Sequence, residues 1–176
     1  MKKDRLLSFM KVDLLKTRFS PKILDRYPPE DRKDEPFMAD IAHFCFPTGI
    51  QLKRLHITPQ SHHFILTKGE GNRQYGTVLT FDEQCSRGLK RKLKHAKQED
   101  YNSIWTQKAI VILSRYSFFE SFKQVLNKLY QVHLSQNMHI PIERFVLNIM
   151  DEVPLPDLGN TMVAYEENIN FYRPVD

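Results

Sequence analysis

The chain has 176 residues, a formal net charge of +5, 41% hydrophobic residues and 27% charged residues. That length suits one domain able to bury a core without disulfide or metal staples. No apolar run is long enough to span a bilayer, and the lysine-rich start lacks the sustained apolar core of a signal peptide. Cys45 and Cys85 lack metal-type spacing and read as reduced thiols, so a cytoplasmic protein is expected. The modest positive charge is compatible with an acidic membrane surface or an acidic partner and demands neither.

Residues 5–15 fit either a first strand or a short amphipathic helix, with the strand reading favoured. Ser20-Pro21 then introduces a stretch whose paired prolines, Pro28 and Pro29, force extended or turn geometry. Ile23, Leu24 and Tyr27 are expected to pin it to the core. Two short strands are expected around His43-Phe44-Cys45-Phe46 and Ile50-Gln51-Leu52-Lys53, with Pro47-Thr48-Gly49 turning between them. The second alternates apolar and polar residues, as a sheet with one wet face requires. His62 to Thr67 and Tyr75 to Phe81 read as a hairpin, with glycines at the turn where positive φ is needed.

From Arg87 to Lys97 the composition turns basic, a segment expected as a helical or mobile insertion. Next comes Ala109-Ile110-Val111-Ile112-Leu113, short and rich in β-branched residues, which predicts a buried central strand. Phe118, Phe122, Val125, Leu126, Leu129 and Tyr130 lay one apolar stripe along a helix. Ile142, Phe145, Val146, Ile149, Met150 and Val153 repeat the pattern, with Pro141 in the first turn and Pro154 and Pro156 as stops. Thr161–Tyr165 and Ile169–Tyr172 form a last hairpin. Strands in hairpins followed by helices on one face predict an α+β fold.

Chemistry is sparse. Gly69-Glu70-Gly71 is followed by a strand and not by a helix, so a hairpin turn outweighs a phosphate loop. None of the seven histidines forms a helical pair with a glutamate, and the adjacent His62 and His63 point to opposite faces of a strand. Cys45 reads as a small core residue. Asp151 and Glu152 diverge on a helix and read as its solvated end. The basic cluster has no interleaved aromatics, so a solvated surface ranks first, acidic lipid headgroups next and nucleic acid last. No catalytic residue, metal ligand or cofactor is expected. The residues point to a binding or interaction domain.

Several pieces in order carry a resemblance. Pro21-Lys-Ile-Leu-Asp-Arg-Tyr-Pro-Pro-Glu-Asp31, Phe44-Cys-Phe-Pro-Thr-Gly49, and Phe64-Ile-Leu-Thr-Lys-Gly with Arg73-Gln-Tyr-Gly76 resemble the upstream part of a DENN domain. So do Lys108-Ala-Ile-Val-Ile-Leu-Ser-Arg-Tyr-Ser-Phe-Phe119, Pro141-Ile-Glu-Arg144 and Val153-Pro-Leu-Pro156. Two departures are the missing glycine turn after residues 5–15 and Ser117 where proline is common. The resemblance implies a longin-like fold, with a central antiparallel sheet flanked by helices. It implies an upstream (uDENN) domain over 1–160, with 161–176 opening a downstream lobe that is largely absent. It further implies guanine-nucleotide exchange on a Rab-type small GTPase in vesicle traffic, on vesicle or endosomal membranes and incomplete in this piece alone. Lys123, Asn127 and Arg144 are candidate partner contacts. Lys90, Arg91, Lys92 and Lys94 are candidate membrane contacts. The alternative is a longin-like scaffold that docks a protein or an anionic membrane without exchange.

Overall fold

The computed structural model describes residues 15–31, 37–38, 40–67, 71–85, 104–135, 142–154, 156–164 and 169–173. Among the described residues, seven strands and three helices follow in this order: β1 (Arg18–Phe19), α1 (Ile41–Cys45), β2 (Ile50–Gln51), β3 (Gln60–Thr67), β4 (Arg73–Gln84), β5 (Trp105–Ser114), α2 (Phe119–Leu134), α3 (Ile142–Leu147), β6 (Thr161–Ala164) and β7 (Ile169–Tyr172). A π-helical turn, Asn148–Glu152, continues α3. The fold is α+β with antiparallel sheets, consistent with a longin-like arrangement. Strands pair as β1-β2, β3-β4-β5 and β6-β7. Residues 5–14 lie outside the described residues.

The chain divides into two compact units, one of Met1–Leu24, Pro36–Pro59 and Thr80–Lys108, the other of Asp25–Glu35, Gln60–Leu79 and Ala109–Asp176. In the first, Leu52, Cys85 and Ile104 form a buried cluster with Leu15 against it. Backbone bonds join its pieces: Cys85 N–H donates to Ile104 O at 2.9 Å, and Lys53 and Trp105 exchange a pair at 2.9 and 2.8 Å. Asp82 is buried here because it has work to do for the backbone: its Oδ2 accepts from the Ile57 N–H at 2.9 Å.

The stretch expected as a strand at His43–Phe46 is instead α1. Its buried residues are Ile41, Ala42 and Cys45, at i, i+1 and i+4, while His43 and Phe44 face water. That is a helical face, and an apolar tetrapeptide alone cannot separate it from a strand. Cys45 is a core residue as expected, its Sγ donating back to Ile41 O at 3.3 Å. Gly49 then turns the chain with φ +76°, its N–H bonded to Phe46 O at 3.0 Å. A Cβ there would stand 3.0 Å from Phe19 O, so the β1–β2 pairing requires a glycine.

In the second unit, β3 alternates cleanly: His62, Phe64 and Leu66 turn inward while Ser61, His63, Ile65 and Thr67 are exposed. On β4 the four consecutive residues Gly76–Leu79 are buried, so both faces of the strand are covered there. The middle position of the three-stranded sheet belongs to β4 and not to the Ala109–Leu113 run. That run lies in β5, at the end of the described strand order, and all ten residues of β5 are half-buried. A run of β-branched residues specifies an extended, packed strand, but its rank in the sheet depends on pairing that no local pattern encodes.

Helix α2 starts without a side-chain cap. Phe118 occupies that position, and its carbonyl accepts the first helical bond from Phe122 N–H at 3.0 Å. The two rings lie 6.2 Å apart, clamping the entry of the chain. Glu120 in the first turn suits the positive end of the helix dipole. Phe118, Val125, Leu129 and Phe145 form the buried centre, with Ile112, Phe122, Val132, Ile142, Val146, Ile149 and Val153 packed around it. Each such side chain contributes on the order of 1.5–3 kcal/mol when fully buried, so this apolar seam and not surface ion pairs holds α2 to α3. Met150, expected on the same stripe, is 47% exposed. The π-helical turn explains it: Val153 N–H bonds Asn148 O, five residues back, which shifts the phase of the face.

A further expectation fails among residues 21–27. Ile23, Leu24 and Tyr27 do not reach the core; Leu24 is 79% exposed and Tyr27 40%. Pro21 is the buried residue there. The terminal hairpin pairs as expected, Thr161 opposite Tyr172 and Ala164 opposite Ile169. Strand β7 packs on α2, where Ser121 Oγ donates to Tyr172 O at 2.5 Å.

Candidate partner-binding surface

The polar side of α2 follows directly from its apolar side. With Val125, Leu126 and Leu129 turned inward, the helical period brings Gln124, Asn127, Lys128 and Gln131 together on another face, at i, i+3, i+4 and i+7. These four line an open, shallow groove. A second groove begins at the helix start and is lined by Ser117 to Ser121, Gln124 and Tyr172. Gln124 belongs to both, so the two depressions adjoin along one helix.

The candidate residues have different fates. Asn127 lies in the first groove, half-buried. Lys123 is half-buried and paired with Glu120 one turn earlier, at 3.2 Å. Arg144 lines neither groove; its Nη1 sits 2.9 Å from Glu152 Oε1, and Glu152 Oε2 accepts from the Asn148 side-chain amide at 2.8 Å. Glu152 is thus part of a small ion network and not merely a solvated helix end. Asp151 beside it accepts a hydrogen bond from the Tyr27 hydroxyl. Lys90, Arg91, Lys92 and Lys94 lie outside the described residues.

Sequence reasoning passed over Gln124, Lys128 and Gln131, which the complement of the apolar stripe would have found. It also passed over a ring cluster, for which no local signal exists. Phe119 meets His63 at 4.6 Å between centroids and Tyr75 edge-on at 5.8 Å. Burial lowers the His63 pKa, as do His62 and Lys123; Glu120 acts in the opposite direction. Among the described residues no group of three or more His, Cys, Asp or Glu is placed to hold a metal, and no helix is long and apolar enough to cross a membrane.

Amides, an ammonium and hydroxyls on a shallow helix face can grip a protein surface through hydrogen bonds; they assemble no nucleophile with a base. In comparison with known families, a uDENN domain is matched over residues 21–81 and a DENN (AEX-3) domain over residues 105–176. The chain belongs to the DENN-domain family. No solved structure matches it.

Proposed function

We propose that this chain forms the upstream portion of a guanine-nucleotide exchange module for a Rab-type small GTPase in vesicle trafficking, incomplete for exchange by itself. The observation that carries the reading is the succession of uDENN and DENN matches along one chain. Exchange of this kind needs no covalent chemistry. The module has only to bind the nucleotide-free GTPase better than the GDP-bound one, which lowers the cost of releasing nucleotide. A polar helix face beside a rigid apolar seam suits that task. In this reading residues 1–160 supply the upstream lobe, the β6–β7 segment leads toward the downstream one, and the packing of β7 on α2 ties the two together. The protein acts in the cytoplasm, peripheral to vesicle or endosomal membranes.

The test is release of fluorescent GDP from a panel of Rab proteins, with this chain alone and with a downstream lobe supplied. Acceleration of one Rab, larger with both lobes, supports the reading; no binding and no acceleration under either condition removes it. Lys123, Asn127 and Arg144 are the proposed contacts. The Arg144–Glu152 pair is solvent-exposed, so Arg144→Ala should cost less than about 1 kcal/mol of stability. A tenfold loss of Rab affinity in that variant would then report a lost contact.

The basic run of the sequence favours a second reading, a scaffold docked on a protein or an anionic membrane without exchange. Lysines near such a surface contribute on the order of 1 kcal/mol each. Glutamine at Lys90, Arg91, Lys92 and Lys94 should then weaken binding to phosphatidylserine vesicles, and unchanged binding would dispose of it.

A further inference from the structure

We propose that Tyr27 is a phosphorylation site for a tyrosine kinase, and that the phosphate releases the segment around it from the π-helical turn at Asp151. The hydroxyl of Tyr27 donates to Asp151 Oδ2, joining positions 124 residues apart in sequence. The ring is 40% exposed, and Asp25–Asp31 has neither helix nor strand. Such a segment can leave its seat and enter an extended kinase cleft once the Tyr27–Asp151 contact opens. Tyr116 and Tyr172 are also exposed. The Tyr116 ring, however, is stacked on Phe118 at 5.2 Å, and Tyr172 is held in β7. Asp25, Glu30 and Asp31 give the Tyr27 segment an acidic character that a basic cleft would attract.

The chemistry inverts the contact. A kinase breaks the bond between the γ-phosphorus of a nucleoside triphosphate and its bridging oxygen, and a bond to Tyr27 Oη forms. The nucleoside diphosphate leaves, and the phenolic proton passes to the kinase's base. A hydrogen-bond donor becomes an acceptor-only group with nearly two negative charges, set against Asp151 with Glu152 beside it. Two cations beside the contact, both among the described residues, are already engaged. Arg26 pairs with Asp31 at 2.5 Å and with Pro29 O at 2.5 Å, and Arg144 pairs with Glu152. Repulsion therefore outweighs capture, and the segment detaches.

The experiment treats the full chain with a broad-specificity tyrosine kinase and ATP and locates phosphate by mass spectrometry. In parallel, phosphotyrosine is placed at position 27 by peptide ligation, and backbone hydrogen exchange is read over residues 148–153. The expected results are modification of Tyr27 in the folded chain and exchange about tenfold faster over 148–153. Asp151→Asn, which keeps an acceptor and removes the charge, should reduce the acceleration to less than about threefold, since only repulsion is removed. The proposal is overturned if folded Tyr27 stays unmodified under conditions that phosphorylate a peptide of residues 20–34. It is equally overturned if the ligated phosphotyrosine leaves exchange unchanged.

Discussion

The ring of Phe64 on β3 lies over the bare Cα of Gly76 on β4, so close that a Cβ at Gly76 would stand only 2.2–2.6 Å from three of its carbons. The glycine is buried in the middle strand of the sheet, where propensity alone would disfavour it. Its role is to leave room for the aromatic side chain. Gly76→Ala should destabilise the protein by about 1–3 kcal/mol, the usual cost of overpacking a filled site. Urea denaturation checks this. Adding Phe64→Leu should recover part of the loss, because residues in contact are non-additive; simple additivity would mean the ring is not the obstacle.

Thr77, the next residue, is almost wholly buried, and its hydroxyl has no hydrogen-bond partner among the described residues. An unpaired buried hydroxyl costs roughly 1–3 kcal/mol against an apolar group of similar shape. Thr77→Val should therefore raise stability by about 1 kcal/mol, read as a higher urea midpoint with an unchanged slope. A lower midpoint would show that the hydroxyl is satisfied after all.

His63 links stability to pH. Burial, His62 and Lys123 together hold its pKa below the ordinary 6.5. The folded state therefore resists protonation that the unfolded chain accepts. Stability is at its full value above the unfolded pKa. It falls as pH drops below about 6.5 and levels off below the folded pKa. His63→Phe keeps the ring against Phe119 and should remove this part of the slope between about pH 7 and 5. Proton NMR titration of the His63 ring gives the folded value directly, and a midpoint above 6.5 would reverse the sign.

Cys45 should be a slow thiol. Burial pushes its pKa up to about 11, and the thiolate is the reactive species. A thiol pushed that far up carries roughly a hundredth of the usual thiolate near neutral pH. Labelling of Cys45 by a chromogenic disulfide should therefore lag free cysteine by about a hundredfold and become fast in denaturant. Rapid labelling of the folded chain would place Cys45 outside the core.

The elements written in long periodic patterns were readable directly. The stripe from Phe118 to Leu129 and the one through Phe145 gave α2 and α3 because a helix needs one continuous face to bury. The run from His62 to Thr67, the glycines after it and the return from Tyr75 to Phe81 gave the β3–β4 hairpin. The family likeness lay in the same ordered pieces, so membership was legible before any fold was seen. The polar groove was half legible: Asn127 was singled out, while Gln124 and Gln131, one helical turn to either side of it, and its neighbour Lys128 were not.

Sequence alone determined periodic faces, the order of elements and the absence of a recognisable active-site motif. Tertiary structure decided what periodicity does not encode. It made Ile41–Cys45 a helix, since five residues fit either period until a neighbour selects the buried face. It placed β5 at the end of the described strand order, because rank follows pairing. It left Leu24 in water and gave Tyr27 a distant carboxylate instead of a core. Contacts between residues far apart in the chain arise from closure of the whole fold, and local composition carries no record of them.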